Sequence, residues 1–146
     1  PECFEPRVKS LNYLNNILAR IEAIESGYDE AVLLDTRGFI AEAPGENIFI
    51  VREGIIRTPL ETHILDGITR RTVLEIADRE GIPAAEADLT LYDLYTADEA
   101  FLTSSFSRIH GVAEVDGRLI PCPGPITLDL QGRIAELERT TGEAID

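Results

Sequence analysis

Between Ala31 and Thr58 short apolar runs alternate with turn signals, a rhythm that admits little besides an antiparallel sheet. Ala31–Asp35 reads as a buried strand, Asp35-Thr36-Arg37-Gly38 as a turn, and Phe39–Glu42 as the partner strand. Ala43-Pro44-Gly45 bends the chain into a third strand, Asn47–Val51. Glu53-Gly54 then makes a hairpin turn into Ile55–Thr58. Helical spacing brackets this meander. Upstream, Ser10 is placed to cap a helix carrying Leu11, Leu14, Leu18 and Ile21 on one face, with Ile17 and Ile24 widening it and Gly27 ending it. Downstream, Leu65-Asp66-Gly67-Ile68-Thr69-Arg70 leads into a second helix that runs through Val73, Leu74, Ile76 and Ala77 to Gly81.

The remainder follows the same mixed pattern. Ile82-Pro83 opens an extended segment, Thr90 caps a short helix through Leu94, and Glu99–Thr103 reads as a strand. Val112–Val115 and Leu119-Ile120 form a hairpin about Asp116-Gly117, and a last helix spans about Ile126 to Thr141 after Pro123-Gly124-Pro125. The expected fold class is α/β, with a mixed, largely antiparallel sheet and helices outside it. With 146 residues and no linker or internal repeat, the chain reads as one domain.

Charge and cysteine content narrow the function. The net charge of −14 is spread along the chain, which disfavours nucleic acid and anionic membrane surfaces. No apolar run approaches a membrane span. Cys3 and Cys122 lack metal spacing and secreted-scaffold density, so a reducing cytoplasm is the expected compartment. His63 and His110 stand far apart without a ligand pattern, and no metal site is expected.

Among 13 basic residues Lys9 is the only lysine, the other 12 (13 minus 1) being arginine. Arginine stays protonated at any working pH, whereas a desolvated lysine can lose its proton and attack a carbonyl to form an imine. A lone surface lysine is the bland alternative. Lys9 lies just before the expected helix start, whose positive end would lower its pKa, with Tyr13 one turn further on. Gly67-Ile68-Thr69 places a glycine and a hydroxyl at a helix start, an arrangement receptive to phosphate, although Thr69 can equally serve as a cap. The hydroxyl-rich turn Thr103-Ser104-Ser105-Phe106-Ser107 offers donors to a second anionic group, or is an ordinary serine-rich loop. Glu42 ends a strand beside the Pro44-Gly45 break, where a solvated carboxylate is the plain reading; Glu46 reads as structural or exposed.

Taken in order, these segments resemble the class IV (fold type IV) pyridoxal-phosphate aminotransferases, which include branched-chain aminotransferase, D-amino-acid aminotransferase and aminodeoxychorismate lyase. Lys9-Ser10-Leu11-Asn12-Tyr13-Leu14 looks like the cofactor-lysine segment. The family signature starts at Glu42, has Asn47-Ile48-Phe49 and Ile56-Arg57-Thr58, and closes with Leu65-Asp66-Gly67-Ile68-Thr69-Arg70. Pro44 departs from the small residue usual there and stiffens the bend.

The resemblance implies pyridoxal 5'-phosphate as cofactor and residues 1–146 as the C-terminal, larger domain, with the sheet curled into a pseudo-barrel. It implies Lys9 as the Schiff-base lysine and as the acid and base at the α-carbon. Glu42 would face the pyridine nitrogen, Tyr13 the ring hydroxyl, and Leu65 would pack on the ring. Gly67, Ile68 and Thr69 would hold the phosphate, joined by the serine turn at Ser104 and Ser105. The Ser105 and Phe106 amides would meet a substrate carboxylate. The implied reaction is amino transfer between an amino acid, branched-chain first, and a 2-oxo acid. Lyase elimination and D-amino-acid transfer are alternatives on the same scaffold, and a non-catalytic assembly domain is the reading from another class. Relatives add a smaller N-terminal domain and a homodimer partner. Without that domain the site would stand half open, and this chain alone is expected to be weak or inactive.

Overall fold

The computed structural model describes residues 12–142. Lys9, and the Ser10 and Leu11 expected in the first helix, lie outside them. Helix α1 (Leu14–Glu25) starts with Tyr13 at its cap position, later than a Ser10 cap would place it. Strands β1 (Asn47–Arg52) and β2 (Ile55–Thr58) pair as the expected hairpin. Glu53 and Gly54 both take positive φ in that turn. Helix α2 (Ile68–Glu80) follows and ends on Gly81 in the left-handed conformation. Then come β3 (Ala84–Glu86), α3 (Leu91–Tyr95), β4 (Glu99–Ser104), β5 (Arg108–Gly111), the ribbon β6 (Glu114–Val115) and β7 (Arg118–Leu119), and α4 (Pro125–Thr141).

The sheet has strand order β3-β2-β1-β4-β5, antiparallel except for the β2–β3 pair. It is open. The expected barrel closure is corrected here: among the described residues β3 and β5 are the edge strands, and the ribbon β6–β7 pairs with itself as a separate sheet. Ala31–Asp35 is corrected too. It pairs with residues 39–42 through isolated bonds such as Leu33 N–H to Glu42 O at 2.8 Å, and Leu34 is exposed rather than buried. With no further strand on its flank among the described residues, the segment has no ladder to extend.

Alternation along the central strands supplies a core on each sheet face. Ile48 and Ile50 of β1, with Ala100 and Leu102 of β4, pack against Ile40, Leu89, Leu94 and Ile120. Phe49, Val51 and Phe101 face the other way, onto Val73 and Ile76 of α2 and Leu130 and Ile134 of α4. Phe49 and Phe101 are register partners whose rings stack with centroids 4.9 Å apart, an arrangement adding about 0.5–1.5 kcal/mol beyond area burial. Among the described residues the apolar stripe of α1 has no such neighbour. Leu14, Ile17, Leu18, Ile21 and Ile24 are all exposed, and the helix buries no residue. Among the described residues no helix is long and apolar enough to cross a membrane.

Candidate active site

One end of the sheet gathers most of the sequence-predicted residues. There β1 begins at Asn47, β4 ends at Ser104, and Asn47 sits opposite Thr103 in register. Ala43 and Glu46 close the turn through Pro44-Gly45, with Ala43 N–H donating to Glu46 O at 2.8 Å. This turn delivers Glu42 to the start of β1. Glu42 Oε2 accepts the Leu65 N–H at 3.0 Å and stands 3.4 Å from Asn47 Nδ2. Asn47 also donates to Leu65 O at 2.9 Å, tying the 65–67 loop to the carboxylate. Gly67 is required by that closeness, because a Cβ there would collide with Asn47 Oδ1.

The charge on Glu42 is poorly compensated. Burial pushes its carboxyl above the usual carboxylate range, and the Leu65 N–H pulls it back only in part. Its hydrogen-bond partners are neutral amides. A carboxylate in such surroundings gains from any cation or ring N–H brought to it. The solvated reading of Glu42 is therefore corrected.

Gly67 caps α2, but no side chain does, and the first turn carries no acidic residue. Thr69 is thus not the cap. It is 1% exposed, and its Oγ1 has no hydrogen-bond partner. Other buried polar atoms without a hydrogen-bond partner are Asp66 Oδ1 just before α2, Arg70 Nε within it, Thr103 Oγ1 on β4 and His110 Nδ1 on β5. Asp66 does face Arg71, at 3.3 Å. Buried polar groups are nearly always paired in native proteins, so the unpaired Thr69 hydroxyl at an uncapped helix start is an arrangement that can receive a polar group. Ile68 stands exposed beside it, and Leu65 is half-buried.

Tyr13 and the serine turn flank this corner. The Tyr13 hydroxyl donates to the Pro44 carbonyl, which also accepts from Asn16 Nδ2 at 2.8 Å. The start of α1 is thereby stapled to the bend that follows Glu42, and the phenol keeps its oxygen lone pairs for another donor. On the other side Ser104 Oγ lies 3.1 Å and Ser107 Oγ 2.7 Å from Glu46 Oε1, so the Ser104 hydroxyl is engaged within the protein. Ser105 and Phe106 stand exposed, Phe106 almost fully. Sequence reasoning did not find Glu46 as the anchor of this turn, although Glu46 directly precedes Asn47.

A sequence profile described as Amino-transferase class IV matches residues 1–115. The chain belongs to that family. It is 47% identical over 144 residues to a putative branched-chain-amino-acid aminotransferase of Methanocaldococcus jannaschii, covering 97% of this chain and 50% of the relative. A T.th. branched-chain amino acid aminotransferase, solved in complex with N-(5'-phosphopyridoxyl)-L-glutamate, superposes with a TM-score of 0.87 at 39% identity, over 96% of this chain and 47% of that one. The Escherichia coli branched-chain amino acid aminotransferase gives 0.90 at 36% identity, over 94% and 48%. The likeness extends to a D-alanine aminotransferase of Listeria monocytogenes, 38% identical over 94% of this chain and 49% of the relative. It also reaches a putative 4-amino-4-deoxychorismate lyase of Legionella pneumophila, with TM-score 0.86 and 31% identity over 89% and 49%. The chain spans about half the length of the curated relatives it matches. As a class IV family member it keeps the open, mostly antiparallel sheet and outer helices described above.

Proposed function

We propose that this chain is the cofactor-holding, C-terminal domain of a pyridoxal-phosphate aminotransferase that moves an amino group between a branched-chain amino acid and a 2-oxo acid. The observation that carries the reading is the pairing of an uncompensated carboxylate, Glu42, with an uncapped helix start whose Thr69 hydroxyl is buried and unpartnered. Those features fit a group with a basic ring nitrogen at one end and an anion at the other. Pyridoxal phosphate, when bound, supplies an aldehyde and an electron-withdrawing ring that stabilises negative charge at the substrate α-carbon.

The residues of this chain supply the rest. Lys9, which lies outside the described residues, provides the amine and carries the proton to and from the substrate α-carbon. Glu42 holds a proton on the ring nitrogen, and that contact offsets its own burial. The free lone pairs of Tyr13 suit the ring hydroxyl, and Leu65 gives the ring an apolar floor. Gly67, Ile68, Thr69 and Ser105 hold the phosphate through backbone N–H groups and hydroxyls. Ser104 serves that anion from behind, by shaping the turn that presents Ser105. The Ser105 and Phe106 amides orient the substrate carboxylate.

The half-length match supports a second domain, and the family resemblance adds a homodimer partner; together they would complete the substrate pocket and exclude water. This chain alone is expected to be weak or inactive. The likeness to the Listeria D-alanine aminotransferase and the Legionella lyase keeps those reactions as the second reading, since residues for both would lie in the other half. A free, exposed Cys122 supports a reducing cytoplasm as the compartment. The test is borohydride reduction of the full-length protein after adding pyridoxal phosphate, followed by peptide mapping. One labelled peptide containing Lys9 is expected. A protein that stays colourless and unlabelled overturns the reading in favour of a non-catalytic assembly domain.

A further inference from the structure

Two serines of the turn between β4 and β5 share one carboxylate, while Arg108, at its end, pairs with Glu138. Glu46 Oε1 accepts from Ser104 Oγ at 3.1 Å and Ser107 Oγ at 2.7 Å, and its Oε2 lies 3.2 Å from His110 Nε2. The two hydroxyls also touch each other at 2.6 Å, and the Ser107 N–H donates to Ser104 Oγ at 3.1 Å. Only 12% of the Glu46 side chain is exposed, so these bonds form largely away from water. Arg108, which closes the turn, has φ of +63°, a conformation that costs a non-glycine residue energy and persists only when its surroundings fix it. The two serines facing Glu46 bracket the exposed Ser105 and Phe106.

We propose that Glu46 is a positioning residue for substrate: by gripping Ser104 and Ser107 it fixes the direction in which the Ser105 and Phe106 amides are presented to a substrate carboxylate. The inference rests on the aminotransferase reading and deepens it. Glu46 itself touches neither substrate nor cofactor. At Oε1 the acceptor oxygen matters more than the charge, because the groups there are neutral hydroxyls; Oε2 meets His110 Nε2 instead of the serines. A glutamine, whose amide oxygen can accept from both serines, therefore keeps the grip, and an alanine loses it.

The test compares Glu46→Ala and Glu46→Gln with the unaltered protein. In the 146-residue chain without ligand, amide hydrogen exchange at Ser107 should quicken about tenfold or more in Glu46→Ala and stay near the original rate in Glu46→Gln. In the full-length protein, Glu46→Ala should raise KM for both amino acid and 2-oxo acid about tenfold while kcat changes less than about threefold, with Glu46→Gln restoring most of the KM. Borohydride labelling at Lys9 should be equal in all three proteins. An unchanged KM, a kcat loss without a KM change, or a glutamine variant as impaired as alanine overturns the positioning role while labelling of Lys9 leaves the cofactor reading standing. Failure of the unaltered protein to take label removes both. A Glu46→Ala protein that does not fold leaves the glutamine variant to decide, since retained exchange protection and KM are required of it.

Discussion

Helices α2 and α4 lie on the same sheet face, yet their N-terminal ends are finished in opposite ways. At α4, Glu99 reaches across from the first position of β4 and accepts the Ile126 N–H at 3.0 Å, the Thr127 N–H at 2.8 Å and the Thr127 hydroxyl at 2.7 Å. Pro125 has no N–H to satisfy, and Gly124 is needed because a Cβ there would collide with the Glu99 carboxyl. That helix start is closed by the protein's own anion. At α2 the carboxylate next door, Glu42, is aimed at the Leu65 N–H, and the helix start has neither side-chain cap nor acidic first turn. The short α3 is closed as well, by a capping box in which Thr90 and Asp93 satisfy each other's backbone N–H. At α4 and α3 the fold supplies its own anion, whereas at α2, as at α1, it supplies none. On the function proposed above, the α2 start takes its anion from a ligand.

The largest expected effect sharpens this contrast. Glu42→Gln in the full-length protein should lower kcat by about 10²–10³-fold, the scale of losing one preorganised electrostatic contact to a reacting group. Labelling of Lys9 should persist, and steady-state kinetics beside peptide mapping checks both; unchanged turnover would remove Glu42 from its role. Glu99→Gln should instead act on stability, costing about 2–3 kcal/mol in urea unfolding, because it breaks charge-assisted bonds to buried donors. A cost near zero would mean that α4 does not depend on its internal anion, and the comparison would lose one side.

A smaller effect separates ligand binding from folding. Thr69→Val removes an orphaned buried hydroxyl without changing shape, so the chain without cofactor should be as stable or slightly more so. Affinity for pyridoxal phosphate should fall about tenfold, as measured by fluorescence titration of the full-length protein. A destabilised variant with unchanged affinity would make Thr69 structural. The mildest effect lies in pH dependence. Burial raises the Glu42 carboxyl, so its contribution to stability is present in full below its unfolded pKa and is lost as pH rises through the folded value. Without cofactor, Glu42→Gln should thus be more stable than the original at neutral pH, the gain shrinking on acidification; thermal melts across that range check the sign.

Much of this was legible in the chain. The hairpin of β1 and β2, helix α2 ending at Gly81, the Thr90 cap and strand β4 all stand close to where apolar period and turn residues placed them. What escaped was decided by distant contacts. β3 falls in the extended segment that Ile82-Pro83 opens, but its parallel pairing with β2 has no local sign, and β5 carries one buried residue, Ile109, behind Arg108 at positive φ. The apolar period of α1 was plain, but period alone cannot show that no neighbour among the described residues covers it. The role proposed for Glu42 comes from the signature it shares with relatives, whereas Gly67 and Thr69 also stand out as a glycine and a hydroxyl at a helix start. Glu46 and Glu99 carry no local sign of their partners, which lie far along the chain at Ser104, Ser107 and Thr127. A charged residue opening an otherwise buried strand was the one hint at Glu99.

The most direct measurement follows the Glu42 side-chain carboxyl carbon by NMR through a pH titration of the full-length protein, first without and then with pyridoxal phosphate. The expected result is a midpoint above the usual carboxylate range in the free protein, falling once the cofactor brings a protonated ring nitrogen against it. A midpoint that the cofactor leaves where it was would contradict the assignment of this corner as the cofactor site.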